Sequence, residues 1–179
     1  MDRLEEIRQL LLGMGYTEAG YLPKEKRVLM PEVIGMCEKN TCRAYGSNWA
    51  CPPAHGTLED CRKRMDSYEN MLLFSKKYDL EDDLDYEGMV AAAKEFRVLA
   101  DSLHDELDKC MTGFEILTNG GCRKCQKCTY PDAPCRFPER LHPSLEGTGF
   151  MVSLIAKDAG MRYINGKDTV TYFGALLFN

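Results

Sequence analysis

Apolar side chains recur at helical spacing at the start of the chain and again in its middle. Leu4, Ile7 and Leu11 share one face of residues 2–12, which predicts an amphipathic helix. The stretch 86–111 repeats this pattern over a greater length, so it predicts a long helix packed against a core. The predicted core-facing stripe of that helix comprises Met89, Ala93, Phe96, Leu99, Leu103, Leu107 and Cys110.

Strands are predicted between and after these helices. Residues 71–78 predict a buried strand, and residues 169–178 have the β-branched and aromatic content of a strand buried on both faces. The remaining predicted elements are a strand at 19–22, a helix that Thr57 opens, a strand at 114–118 and a helix from Ser144 to Gly160.

The order of these elements favours the α+β class, with a mixed β-sheet flanked by helices and two cysteine-rich loops. Helices and strands alternate without the regular rhythm of a doubly wound sheet. We assign residues 1–179 to a single metal-binding domain, because 179 residues with 44% hydrophobic side chains suffice for one core. A separate ferredoxin-like lobe is the alternative.

Eight of the nine cysteines fall in two stretches. The first stretch begins in a region of low periodicity, residues 31–56, which predicts a loop folded around something other than its own apolar side chains. The ninth, Cys110, is predicted to lie in the core. The first loop holds Cys37, Cys42, Cys51 and Cys61, and the second holds Cys122, Cys125, Cys128 and Cys135.

The spacing in the second loop predicts metal binding. Cys122, Cys125 and Cys128 follow one another at two-residue gaps, an arrangement that wraps one face of a [4Fe–4S] cluster. Cys135 is available as the fourth ligand. Zinc is the competing metal, because the spacing of the last three cysteines also occurs in zinc sites, whereas Cys122 favours iron and sulfide.

The first loop offers four thiols at a looser and less diagnostic spacing. Cys51 precedes Pro52, and in two-cluster ferredoxins a Cys-Pro pair belongs to the cysteine that serves the distant cluster, so ligand exchange between the loops is open. Cys61 has two interpretations. It lies in the first turn of a helix, where the dipole lowers a thiol pKa, and it also lies on the apolar stripe of that helix, as a core cysteine would.

Composition limits the classes of binding partner and the cellular compartment that we expect for this protein. The formal net charge of −5, with no long basic tract, argues against nonspecific nucleic-acid binding. The first residues lack a secretory signal and no apolar run reaches membrane-spanning length, so we expect a soluble cytoplasmic protein without membrane contact. In that reducing compartment, metal ligation explains the cysteines better than disulfides do.

Side chains near the cysteines predict supporting roles. Trp49 and Tyr45 flank Cys51 and are expected to shield a cluster from water. His55 is expected to be a surface-loop histidine. Five basic residues surround the second loop and either offset the charge of an anionic cluster or present a docking surface to an acidic redox partner: Arg123, Lys124, Lys127, Arg136 and Arg140.

The chain resembles the prokaryotic family of predicted metal-binding proteins called domain of unknown function 2284. The resemblance extends from about Gly20 to the C-terminus, and iron–sulfur binding, often in anaerobes, is the usual inference for such proteins. It implies metal ligation by Cys42, Cys51, Cys61, Cys122, Cys125, Cys128 and Cys135, with Cys37 a weaker match. The residues that carry it are Cys42-x2-Tyr45-x3-Trp49-x-Cys51-Pro52-Pro53, Gly121-Cys122-x2-Cys125-x2-Cys128 and Pro134-Cys135-Arg136-x-Pro138.

Three functions are consistent with these residues. The leading hypothesis is a protein with up to two [4Fe–4S] clusters that passes electrons to or from a partner enzyme, because no acid, base or nucleophile set accompanies the cysteines. The second is an enzyme whose cluster has three protein thiolates and an open iron that acts as a Lewis acid. The third is a zinc-stapled interaction module. The oligomeric state is open.

Overall fold

Five helices and four strands build residues 2–179, the part of the protein that this computed structural model describes. The helices are α1 (Arg3–Gly13), α2 (Pro31–Glu38), α3 (Leu58–Asp66), α4 (Tyr86–Asp108) and α5 (Val152–Asp158). The strands are β1 (Glu18–Tyr21), β2 (Asn70–Asp79), β3 (Glu115–Leu117) and β4 (Thr169–Phe178). Within these residues, no helix has both the length and the apolar character that a membrane crossing requires.

The strands form one antiparallel sheet with the order β1-β2-β4-β3. β2 and β4 are its long central strands, paired from Asn70 opposite Phe178 to Asp79 opposite Thr169. The α+β class and the strand over 169–178 are confirmed. The prediction of a mixed sheet was wrong: β2 and β3 run parallel and are joined through α4, but β4 inserts between them and is antiparallel to both.

The sheet separates two apolar cores because successive strand residues point to opposite faces. On one face, Leu72 and Phe74 of β2 pack in a cluster that includes residues of α1 and α4, such as Leu11 and Phe96. On the other face, Leu73 packs in a second cluster, which contains residues of α3 and α5. Both faces of the central strands are therefore buried over residues 71–75 and 173–178.

The structure corrects two predictions about helices: one helix was predicted as loop, and another begins later than predicted. α2 occupies residues that the sequence predicted as loop, because Pro31 is compatible with the first helical position and Val33 is buried. α5 begins at Val152 rather than near Ser144, because Gly149 takes a left-handed φ of 108° that stops helical geometry. Ser144 instead accepts a hydrogen bond from the Gly147 N–H at 3.0 Å within a short 3-10 turn.

The predicted stripe of α4 is confirmed at Phe96, Leu103 and Leu107, whereas Ala92 and Ala100 are buried in place of Ala93 and Leu99. Its buried positions are Ala92, Phe96, Ala100, Leu103 and Leu107. The prediction that Cys110 lies in the core was wrong, because α4 ends at Asp108 and Cys110 is exposed in the turn that follows.

Candidate metal centre

The second cysteine loop leaves the sheet edge at β3 and is closed at its neck. Thr118 accepts a hydrogen bond from the Leu145 N–H at 2.8 Å, and its own N–H donates to the carbonyl of Pro143 at 2.9 Å. These two bonds hold together the ends of the segment 119–143. Since backbone hydrogen bonds fix both ends, the cysteines between them need not be organised by an apolar core of their own.

All four cysteines of this loop line one small cavity, and each of them is partly buried. Burial raises the pKa of the Cys122 thiol, and negative charge on Cys135 and Cys125 raises it further, whereas Lys124 lowers it. These thiols are thus within electrostatic reach of one another. The cavity is lined by Cys122, Cys125, Cys128 and Cys135 together with Trp49, Lys124, Thr129, Arg136, Phe137 and Leu141.

Hydrogen bonds within the loop hold its backbone around that cavity. The Thr129 hydroxyl donates to the carbonyl of Pro134 at 2.9 Å, and the Arg136 guanidinium donates to the carbonyl of Lys127 at 2.8 Å. Both bonds connect the Cys125–Cys128 turn to the segment around Cys135. Their effect is to bring the fourth cysteine back to the other three, as a shared ligand set requires.

Trp49 of the first loop forms part of the wall of this second-loop cavity. Its indole Nε1–H donates to the Thr129 hydroxyl at 3.3 Å and to the carbonyl of Ala133 at 3.2 Å. Tyr130 packs edge-on against the ring at 5.0 Å between centroids. The sequence placed Trp49 beside Cys51, whereas its side chain reaches across to the other cysteine set.

Three cysteines of the first loop lie near one another. Cys37 is on the last turn of α2, Cys42 is exposed, and Cys51 is buried. Burial is the largest cause that raises the pKa of Cys51 to about 11, and negative charge on Cys42 and Cys37 adds to the effect. Raised thiol pKa values mean that metal uptake at this site must release protons.

Cys61 is placed differently from the other three. It lies on α3 in the core, with 1% of its surface exposed. Its thiol donates to the carbonyl of His55 at 3.9 Å, and the charged neighbours that act on its pKa are Arg64, Asp60 and Glu115. The structure therefore gives Cys61 the surroundings of a core residue. Its ligation of metal stays a prediction.

Glu146 is a site residue that the sequence did not reveal. It begins the short 3-10 turn Glu146–Thr148, and the Ser144 hydroxyl donates to its carboxylate at 3.2 Å. Burial raises the pKa of Glu146, and its negative charge in turn raises the pKa of both Cys37 and Cys51. A carboxylate thus lies within electrostatic reach of Cys37 and Cys51.

Asn48 connects the two cysteine loops and was also missed. Its amide oxygen accepts hydrogen bonds from the N–H of Ala50 at 3.0 Å and from the N–H of Cys122 at 3.3 Å. A hydrogen bond from Asn48 also lowers the pKa of Cys51, against the larger effect of burial. One buried side chain therefore contacts a cysteine of each loop.

The positive charge around the second loop is partly neutralised by acidic residues of α4. Lys124 pairs with Asp101, and Arg140 pairs with Asp105 at 2.6 Å and with Asp108 at 3.5 Å. These ion pairs attach the loop to the helix. The basic residues thus have a structural role in addition to any effect on a bound anion.

The histidines are more buried than their sequence positions indicated. His55 is buried, not a surface residue, and burial lowers its pKa to about 4. His142 is buried against His104, with 3.0 Å between His104 Nδ1 and His142 Nε2. Burial, followed by the charge of Lys124, lowers the pKa of His142 to about 3, so its ring is neutral at physiological pH.

The donor chemistry fits a thiophilic metal centre. The second loop brings four thiols to one cavity, and soft thiolates select iron–sulfur clusters or zinc over oxygen-seeking cations. Within residues 2–179, no group of three or more cysteine, histidine, aspartate or glutamate side chains is already arranged around a single metal-ion position.

Comparison with known proteins assigns the chain to a family. The model of DUF2284, described as a predicted metal-binding protein, matches residues 21–178. The protein belongs to this family and is accordingly a cysteine-rich protein of a predicted metal-binding class. No curated protein and no solved structure matches the chain.

Proposed function

We propose that the protein binds [4Fe–4S] clusters and passes electrons to or from a partner enzyme. The observation that carries this proposal is the convergence of Cys122, Cys125, Cys128 and Cys135 on one cavity. Four thiolates are the usual ligand set of a cubane, which supplies reversible one-electron transfer when bound. The chain supplies the ligands, a partly water-excluding wall and a connection to a second thiol group.

The first loop provides the second site in this proposal. Cys37, Cys42 and Cys51 are its ligands, and Cys61 becomes the fourth only if its thiol leaves the core surroundings that it has in the structure. Asn48 and Trp49 link the two loops through direct hydrogen bonds, which favours two neighbouring centres within one domain of residues 1–179. Close placement suits electron transfer, because a centre near the surface can then exchange electrons with a second one inside the same protein.

The test is a reductive titration of protein prepared without oxygen. We expect a coloured protein that contains iron and acid-labile sulfide and is reduced and reoxidised without loss of iron. Cys42→Ala and Cys128→Ala, compared with the parent, should each abolish one of two redox transitions. A colourless protein that contains zinc and no sulfide would contradict the proposal and establish the interaction module instead.

A second candidate, an enzyme with one open iron, is favoured by the surroundings of Cys61. If that thiol stays in the core, the first-loop centre has three protein thiolates, and one position is left for an exogenous ligand. Glu146 lies beside these thiols and can hold or accept a proton there. This candidate requires a first-loop centre that survives the loss of Cys61.

A further inference from the structure

A second cavity, the chamber, has a volume of about 570 Å³ and lies between α4 and the second cysteine loop. Its volume is in the range of pockets that bind small molecules. Cys122 belongs both to its wall and to that of the four-cysteine cavity, so the two spaces are neighbours. Residues of α4 line the other side of the chamber.

Part of the wall of this chamber is apolar. Tyr86, Val90 and Val98 of α4 line it, although their exposed fractions are 75%, 50% and 56%. Ala93, which the sequence assigned to the core stripe, lines the same wall. Apolar side chains left accessible along one wall of a concave site are a surface on which the hydrocarbon part of a ligand can be buried.

The other lining groups give the chamber a positive charge. Lys94 and Arg97 extend from α4 and Arg123 from the loop, and none of the three forms an ion pair with any residue in 2–179. The one carboxylate in the wall, Asp101, is already paired with Lys124. Lys94, Arg97 and Arg123 thus face the chamber without a carboxylate partner among residues 2–179.

The positions of these cations differ from those expected if all three only balanced the negative charge of the cysteine thiolates. Arg123 adjoins Cys122 in the chain and suits that role, but Lys94 and Arg97 belong to the opposite wall. Arg97 is half-buried: burial, followed by the charge of Arg123, lowers its pKa, whereas Tyr172 and Cys122 raise it. A partly desolvated guanidinium that forms no ion pair with a carboxylate is costly, and a bound anion would relieve that cost.

We propose that the chamber between α4 and the second cysteine loop binds a small organic anion. Its carboxylate or phosphate group lies against Arg97, Lys94 and Arg123, and its apolar body lies against Val90 and Ala93. This site goes beyond electron transfer, because it places a ligand next to Cys122. The binding depends on side chains of the chain itself, so it can be measured whichever metal the cysteines hold.

Isothermal titration calorimetry of the metal-loaded protein with octanoate, octyl phosphate, acetate and inorganic phosphate tests the proposal. We expect at least one eight-carbon anion to bind at least tenfold more tightly than the matching small anion. Arg97→Gln should weaken that binding at least tenfold. Arg162→Gln, which removes an exposed charge from the loop after α5, should leave it unchanged.

A second variant tests the apolar part without any change of charge. Ala93→Phe fills the chamber from the helix side and should reduce the advantage of the eight-carbon anion over the small one. Ala93 is only partly buried, so the fold is expected to tolerate this change, and Lys94→Gln at an exposed position replaces Arg97→Gln if that variant does not fold.

Several outcomes would overturn the proposal. One is equal binding of the long and short anions, and another is an Arg97→Gln variant that behaves like Arg162→Gln. A third is binding of hexaglutamate that depends on Arg97 while neither eight-carbon anion binds, which would assign this surface to an acidic segment of a partner protein.

Discussion

Asn48 and Cys122 join the two cysteine loops, because the backbone N–H of Cys122 donates to the Asn48 side-chain oxygen at 3.3 Å. The same oxygen accepts from the N–H of Ala50, next to Cys51. The chain between Asn48 and Cys122 contains α3, β2, α4 and β3, so this contact joins residues that are distant in sequence. The folded arrangement of these elements therefore positions the two sets of thiols relative to each other.

We predict that Asn48→Ala weakens both cysteine sets. The change leaves the N–H groups of Ala50 and Cys122 without their acceptor, and a buried unsatisfied donor costs about 1–3 kcal/mol. We expect the free energy of unfolding to fall by that amount and the metal content of both loops to decrease. Thr112→Ala, at an exposed position in the segment after α4, is the control. Unchanged metal content in Asn48→Ala would show that the loops are organised separately.

Cys135→Ala should remove the second-loop metal while Cys110→Ala leaves it in place. Cys135 lines the four-cysteine cavity, whereas Cys110 is exposed after α4 and its thiol donates to the carbonyl of Leu107 at 3.5 Å. If each loop holds one cluster, iron and sulfide should fall to about half in the first variant. Equal metal content in the two variants would contradict the ligand assignment.

Cys61→Ala distinguishes the two accounts of the first loop. The core surroundings of this thiol lead us to expect full metal content and a loss of about 1 kcal/mol in the free energy of unfolding, the cost of removing a buried sulfur. Cys51→Ala, the matched change at a buried cysteine near Cys37 and Cys42, should lose the first-loop metal. Loss of metal from Cys61→Ala would instead make it the fourth ligand and exclude an open iron.

Stability should fall on acidification because of His142. In the folded protein its pKa is lowered to about 3, whereas in the unfolded chain it is near the ordinary value of about 6.5. Between these values the unfolded state binds more protons, so stability decreases as pH falls, by at most about 1.4 kcal/mol per pH unit for this group.

The measurement is denaturant unfolding at pH 7.5 and pH 5.5, without oxygen. His142→Gln carries no titrating ring, so the difference in its free energy of unfolding between the two pH values should be smaller than that of the parent. The comparison uses this difference rather than absolute stability, because the variant also loses the contact with His104. Equal differences would contradict the assigned pKa shift.

The sequence was informative where neighbouring residues determine the structure. The run at 169–178 predicted β4 to the residue, because β-branched and aromatic content marks a strand without reference to its partners. The short gaps between Cys122, Cys125 and Cys128 likewise predicted that their thiols converge, and all three line one cavity. Both features depend on local covalent spacing.

The features that the sequence did not reveal depend on distant contacts. Ala91, Ala92 and Ala93 are identical, so the pattern could not determine which of them faces the core, and Ala93 faces the chamber instead. Asn48 and Glu146 belong to no motif. They reach the cysteines only because the turns that carry them pack together, with the Ser144 N–H donating to the carbonyl of Ala50 at 2.7 Å.

Trp49 is the only tryptophan in the chain, and its ring forms part of the wall around Cys122, Cys125, Cys128 and Cys135. Its intrinsic fluorescence therefore originates beside the proposed second-loop centre. A coloured cluster at that position would quench the emission by energy transfer, and a colourless ion such as zinc would not. The protein consequently carries an optical reporter of its own, with which cofactor loading and loss can be followed in real time without a label.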